Sequence, residues 1–315
     1  MKPSRYAVKP LVVGGLPPRF VQLGEDECTR QFLQEAKTRR SAVKDNVANL
    51  LKQYAGYSTT DANGTVDRGR MFIFGNKHID LLLPQLSTFS SEGRGKRARI
   101  LLDVGAGDGN VTAKFAPQFD KVVCTEFSLP MVSRLRKRGF TATTAKDDTF
   151  QNMGKRSIDL VMFLNVLDRA DRPLTMLKAL KELLVPGTGR LLVAVVLPWC
   201  PFVEDGGKQR RPSEHLPMRG GKCKEKATFE SSVKTMVDNV FTPMGLEVES
   251  WSKLPYLCEG EQGGKEWYVL DDAIFVLKVK EEAEEGEVVF PSVFKEPQTE
   301  EEGSGLVNWL AQKVW

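Results

Sequence analysis

Histidine is almost missing from this 315-residue chain: only His78 and His215 are present. Two isolated histidines, far apart and without a cysteine pair nearby, offer no metal-binding pattern. The five cysteines, Cys28, Cys124, Cys200, Cys223 and Cys258, are odd in number and form no CxxC. They indicate neither a disulfide framework nor a zinc site. Cys124 lies inside an apolar run and is expected in the core. No stretch approaches the roughly twenty apolar residues that cross a bilayer. The opening Met1-Lys2-Pro3-Ser4-Arg5 lacks the apolar segment of a signal peptide. A cytoplasmic or nuclear setting follows by default, with an endomembrane one only if a further segment precedes Met1. There is no internal repeat.

Acidic charge is unevenly spread. Residues 281–302 contain nine acids against Lys295, so the formal net charge of +4 leaves the remainder of the chain near +12. A basic body can attract an acidic partner or RNA. The simpler reading, a solvated basic surface balanced by the chain's own acidic tail, disfavours nucleic acid as the partner. With 41% hydrophobic and 27% charged residues, the composition is that of a globular protein. Its length suits one large α/β domain with extensions, or two small domains.

Residues 1–27 have no period and read as an extended arm. Helical periodicity runs from Thr29 to Tyr57, with Val43, Val47, Leu50 and Leu51 on one face. Asp61-Ala62-Asn63-Gly64 reads as a turn. Arg68 to Phe74 is short and apolar, and Ile79, Leu81, Leu82, Leu83 and Leu86 suggest a helix broken at Pro84. Ser87 to Arg97 reads as a loop. From there strands and helices alternate. Strands are expected at Ile100–Leu102, Lys121–Glu126, Phe140–Thr144, Ile158–Leu164 and Arg190–Leu197, with helices after Ser128 and over Leu174–Leu184. This spacing describes βαβ units around a parallel sheet. Residues 199–226 read as an irregular insertion. A helix over Glu230–Phe241, a strand over Leu246–Trp251 and a last strand over Asp272–Val279 follow. Leu306, Trp309, Leu310 and Val314 have the spacing of a small amphipathic helix. The expected division is an N-terminal arm and helical cap (1–90), an α/β core (91–280) and an acidic tail with that helix (281–315).

The most informative stretch is Leu101-Leu102-Asp103-Val104-Gly105-Ala106-Gly107-Asp108-Gly109. A buried strand ends in an acid and enters a glycine turn that opens a helix. Such a turn lets backbone approach a ligand closely. A dinucleotide fingerprint, GxGxxG, would place its third glycine at 110, where Asn110 stands. No P-loop lysine follows the glycines. The GxGxG form with Asp103 before it is that of S-adenosylmethionine (AdoMet) methyltransferases. Glu126, at the end of the next strand, stands where a ribose diol needs an acceptor. Asp148 follows the third strand, where adenine is read. Leu183 to Leu192, with Pro186-Gly187-Thr188-Gly189, has the helix, turn and strand of the same class. Purely structural roles are the alternatives: Asp103 holding the turn's amides, and Glu126 capping the next helix.

Longer segments resemble one family. Asn165-Val166-Leu167-Asp168-Arg169, Leu197 to Glu204, Leu254-Pro255-Tyr256-Leu257-Cys258-Glu259-Gly260 and Tyr268 to Lys278 look like the DREV methyltransferases, the methyltransferase-like protein nine group. Arg68 to Phe74 matches the family's opening segment. The likeness spans roughly residues 40–280. It implies a class I AdoMet-dependent fold: Rossmann-like, seven-stranded, mostly parallel with an antiparallel last strand, and carrying a helical N-terminal cap. It also implies methylation of histidine at the ring nitrogen nearer the backbone (Nδ1, pros) in His-x-His segments of His-rich proteins. A monomer without a membrane span is expected. By position Asp103, Gly105, Gly107, Glu126, Asp148 and Asn165 would hold AdoMet. Asn165, Asp168, Tyr256 and Tyr268 would line the imidazole pocket. The chain departs from the family in its insertion at 205–226, in its acidic tail, in lacking an apolar leading segment, and in Cys200, which stands where the family has histidine.

The chemistry is consistent with these residue types. Imidazole, with a pKa near 6.5, is largely neutral at pH 7, so no strong base is required. The site must instead select a tautomer. For Nδ1 to attack, Nε2 carries the proton and donates it to an acceptor. Asp168, Asn165 or a tyrosine oxygen could accept, and Asp168 is favoured because a carboxylate also stabilises the imidazolium formed. As a structural alternative Asp168 would cap the following helix. Two rival functions fit the same residues. Methylation of RNA or a small molecule is one, although the NPPY-type tetrad used on adenine amines is absent. A non-catalytic scaffold of methyltransferase fold is the other. Automethylation at a His-x-His site is excluded, because the chain has none.

Overall fold

The computed structural model describes residues 1–10, 15–39, 41–87, 98–144, 154–205, 208–218, 227–260 and 264–280. The acidic tail, Asp148, the amphipathic segment at 306–314 and most of the loop after Ser87 therefore lie outside the described residues. In chain order the elements are α1 (Glu27–Thr38), α2 (Ala42–Tyr54), α3 (Thr59–Val66), β1 (Met71–Phe72), α4 (Asn76–Leu82), α5 (Pro84–Ser87), β2 (Ile100–Val104), α6 (Thr112–Phe115), β3 (Lys121–Thr125) and α7 (Leu129–Lys137). They continue with β4 (Thr141–Thr143), β5 (Leu160–Leu164), α8 (Pro173–Leu183), β6 (Arg190–Val196), β7 (Val203–Asp205), β8 (Lys208–Arg210), α9 (Phe229–Met236), β9 (Leu246–Glu259) and β10 (Trp267–Val279).

One eight-stranded sheet has the order β1-β9-β10-β6-β5-β2-β3-β4. The pairs β4-β3, β3-β2, β2-β5 and β5-β6 are parallel, whereas β10 is antiparallel to both β6 and β9. The central strands are apolar on both faces because helices cover both sides. One face packs Phe163, Leu180, Val193, Phe241, Trp251 and Phe275 into the larger core cluster. The other packs Phe74, Phe115, Met162, Ala194, Leu254 and Ile274. Strand order turns outward on either side of β2, so the carboxyl ends of β2 and β5 flank a crevice, the usual ligand position in open α/β sheets.

Several sequence expectations are corrected. The sheet has eight strands rather than seven, because Met71 and Phe72 add a short edge strand against Cys258 and Leu257. The helical run from Thr29 breaks after Thr38 and restarts at Ala42 with Ser41 capping. Its expected core face is open: Val43 is 72% exposed and Leu50 54%. The turn expected at Asp61–Gly64 is helix α3. Ser58 caps it by accepting from the Asp61 amide. A Cβ on Gly64 would stand 3.2 Å from Pro130, so this glycine serves close helix packing on α7. The hairpin β7–β8 lies inside the insertion expected to be irregular. The strand expected over Leu246–Trp251 runs on to Glu259, and β10 begins at Trp267. Pro255 is tolerated because at that point β9 pairs only with β10. The arm before α1 lies along β9, where Val21 donates to the Trp251 carbonyl at 2.8 Å. Cys124 is buried as expected, while Cys200 is disulfide-bonded.

Candidate active site

The glycine turn begins where β2 ends. Gly105, Gly107 and Gly109 have φ of +72°, +56° and +76°, which only glycine adopts without strain. Their surroundings differ. A Cβ on Gly109 would lie 2.7 Å from Leu135 and 3.3 Å from Phe140, so that glycine lets the turn seat on α7. A Cβ on Gly107 would meet nothing within 4 Å. Gly107 is thus the turn's open point, where a ligand can approach bare backbone.

Both acids near the turn are buried and partnered. Asp103 accepts a hydrogen bond from the Thr112 hydroxyl at 2.5 Å, tying the end of β2 to the start of α6. It holds a side chain of the helix start rather than the turn's amides. Burial pushes its pKa up to about 7, against the Thr112 bond. Glu126 accepts from the amides of Gly107 (2.8 Å), Phe127 (2.7 Å) and Ser128 (3.1 Å). Burial raises its pKa while the three amides oppose that shift. Glu126 therefore joins the glycine turn to the start of α7 and stands one bond from the turn's open point. Oε1 accepts two of these bonds and Oε2 one, so a lone pair remains on Oε2 for a ribose hydroxyl.

A second group lies at the carboxyl end of β5 and on the neighbouring antiparallel strands. Asn165, the residue after β5, is left-handed at φ +57°. Its backbone N–H donates to the Ala194 carbonyl at 2.8 Å. Its Nδ2 donates to Asp272 Oδ2, also at 2.8 Å. Asp168 is buried, and its Oδ2 pairs with Arg169 at 2.7 Å. The Arg169 guanidinium lies 3.9 Å from the centre of the Phe202 ring. Asp168 does not cap α8, whose N-cap is Arg172. Burial raises its pKa to about 6, with Arg169 opposing. Asp272 is fully buried in β10 and is driven well above the usual carboxylate range by burial, which its bond from Asn165 opposes and the charge of Asp168 reinforces.

Three acceptor atoms here, Asn165 Oδ1, Asp168 Oδ1 and Asp272 Oδ1, are buried without a hydrogen-bond partner. Buried polar atoms are normally paired, so three orphan oxygens on charge-coupled residues mark a place for a donor. Register places the tyrosines nearby. Tyr268 faces Cys258 across the β10–β9 pair, Leu270 faces Tyr256, and Asp272 faces Leu254. Side chains two apart on a strand share a face, so Asp272, Tyr256, Cys258 and Tyr268 lie on one face. Tyr256 is half-buried, its hydroxyl donates to Met71 Sδ, and burial raises its pKa. Tyr268 is 46% exposed and stands at the outer end of the row.

Of the residues singled out in the sequence, the structure thus gathers Gly105, Gly107, Glu126 and Asp103 at the turn, and Asn165, Asp168 and Tyr256 in a charge-linked group. Asp148 falls outside the described residues. Asp272 escaped the sequence reading. Its signal was an acid inside an otherwise apolar strand pattern, Ala273-Ile274-Phe275-Val276-Leu277, where a charge has no structural reason to be buried.

A parallel sheet reversed at its last strands, an open glycine in the turn after the first core strand and a buried acid after the second define a class I AdoMet-dependent methyltransferase. The model of the DREV methyltransferase family matches residues 9–279, and the chain belongs to that family. Its cofactor is S-adenosylmethionine. Solved structures of similar architecture include the DszA carbon methyltransferase, 15% identical, with 80% of this chain and 70% of that chain covered and a TM-score of 0.43. An S-adenosylmethionine-dependent methyltransferase from Mesorhizobium loti is 16% identical over 65% of this chain and 100% of that chain, with a TM-score of 0.38. No helix of the described residues is long and apolar enough to cross a membrane, and no metal-binding group of His, Cys, Asp or Glu occurs among them.

Proposed function

We propose that the chain methylates Nδ1 of histidine in His-x-His segments of protein substrates. The observation carrying this reading is the buried, unpartnered Oδ1 of Asp168, whose other oxygen is held by Arg169. Gly105 and Gly107 would seat AdoMet, Glu126 would accept its ribose hydroxyls, and Asp103 would keep the turn in place from behind. Bound AdoMet supplies a methyl group on a sulfonium, open to in-line attack. The chain's own part is to present a neutral imidazole in one tautomer. Asp168 Oδ1 accepts the Nε2 proton, which leaves the Nδ1 lone pair free. As the N–C bond formed and the methyl–sulfur bond broke, the ring would become an imidazolium whose charge the Asp168 carboxylate stabilises until its Nε2 proton is lost to solvent. Arg169 fixes the carboxylate while leaving one oxygen open. Tyr256 and Tyr268, on one face of the β9–β10 pair, would supply the aromatic wall. Residues 1–90 act as cap and 91–280 as catalytic core in this reading.

Transfer of radiolabelled methyl to a His-Ala-His peptide and to its His→Ala variants tests the proposal. Labelling that needs histidine supports it; equal labelling of a histidine-free peptide or of RNA contradicts it.

A further inference from the structure

Asn165 and Asp272 come from strands 107 residues apart in sequence, yet each constrains the other. Among non-glycine residues asparagine adopts the left-handed backbone most readily, and here neighbouring strands hold it there. Asn165 is held by its backbone bond to β6 and its side-chain bond to β10. A side-chain amide can present either oxygen or nitrogen to a neighbour. Asp272 Oδ2 accepts from the amide nitrogen, and that bond turns Asn165 Oδ1 the other way. That oxygen is one of the three buried orphans.

A purely structural role accounts poorly for this arrangement. The next residue back, Asp271, is paired with Arg5 and Lys253. Asp272 has no ion pair among the described residues, sits fully buried between Val196 and Leu254, and leaves Oδ1 unsatisfied. A valine there would complete the sheet without the cost of desolvating a carboxylate. A half-satisfied polar network inside a core persists where a ligand completes it.

We infer that Asp272 is a positioning residue for methyl transfer: it sets the Asn165 amide so that Oδ1 meets the methyl acceptor and favours groups that donate a hydrogen bond to it. The inference rests on the imidazole reading above for the identity of the acceptor, while the Asn165–Asp272 lock can be measured without it.

Asp272→Asn keeps the side chain's size but offers an NH2 group, which frees the Asn165 amide to turn over. Turnover on the His-Ala-His peptide is expected to fall about 100-fold, as misplacement by an ångström does, with AdoMet affinity within about twofold. Asn165→Gly keeps the left-handed backbone and removes the amide. If Asp272 acts through Asn165, the double variant is no slower than Asn165→Gly alone; losses that multiply would overturn the inference, as would an Asp272→Asn enzyme within threefold of the parent. NMR of the unmodified protein supplies a readout free of activity and of any folding defect in a variant. Slowly exchanging Asn165 side-chain amide protons are expected, and exchange as fast as in a solvated asparagine would overturn the lock. Should the parent enzyme label no histidine peptide, the imidazole reading fails and this NMR result still decides on the lock.

Discussion

The two ends of the site are built on opposite principles. At the glycine turn the buried acids are partnered by the chain itself: Asp103 by Thr112, Glu126 by three backbone amides. At the carboxyl end of β5, Asn165, Asp168 and Asp272 each keep one buried oxygen unpartnered. At the first end both acids are held by the chain as folded, which leaves the turn shaped by its own backbone. The second is incomplete as folded, and is finished by whatever donor enters. On the reading proposed above, the first end would seat the cofactor and the second would select the methyl acceptor.

This contrast can be tested by changing each end in turn. The largest effect is expected from Asp168→Ala: turnover falls about 1000-fold, in the range of a lost acid–base group, while calorimetry still shows AdoMet binding. Retained turnover would remove Asp168 from its role. Glu126→Ala should act in the opposite sense, weakening AdoMet by about 10- to 100-fold through lost charged hydrogen bonds. It should also lower the melting temperature, since three amides lose their acceptor.

A pH profile comes next. Asp168 must be ionised to accept the Nε2 proton, and its pKa stands at about 6. The rate on a peptide substrate should therefore rise steeply with pH between 5 and 7, by about tenfold from Asp168 and by more than about 100-fold once imidazole deprotonation is included. A rate that falls over that range would contradict the assignment.

The glycine substitutions have smaller effects and separate stability from binding. Gly107→Ala carries a left-handed alanine, about 1–2 kcal/mol, and closes the open point. Gly109→Ala carries the same strain and also drives a methyl into Leu135. Melting should fall further for Gly109→Ala, and AdoMet affinity further for Gly107→Ala. A further prediction, on stability against pH, concerns Asp103. Its folded pKa of about 7 exceeds the ordinary 3.8, so its ionisation destabilises the fold progressively across that window. Asp103→Asn should gain stability relative to the parent as pH rises from 5 to 8, measured by urea melts.

The same contrast explains what was legible in the sequence. The cofactor end is local: a strand, a turn of three glycines and the acid of the next strand follow within two dozen residues, each with its own signature. The acceptor end is not local. Asn165 and Asp168 show only as a short motif, and the partner that orients Asn165 lies on β10, over a hundred residues away. Its place depends on the β10–β6 register, which no local pattern encodes. Helix α3 was hidden for a related reason. Asn63 and Gly64 read as a turn, but Gly64 packs a helix closely against Pro130, a tertiary contact that overrides propensity. The alternation of apolar strands and helices in the core depends on burial alone, and it was read with boundaries within a few residues.

The central claim is that the acceptor end accepts a proton from imidazole Nε2 and so directs methylation to Nδ1. The most direct measurement is the identity of the methylated atom, by amino-acid analysis of the hydrolysed His-Ala-His product against both methylhistidine standards. The account predicts the Nδ1-methyl isomer alone. The Nε2-methyl isomer, or a methyl group on any other residue, would contradict it.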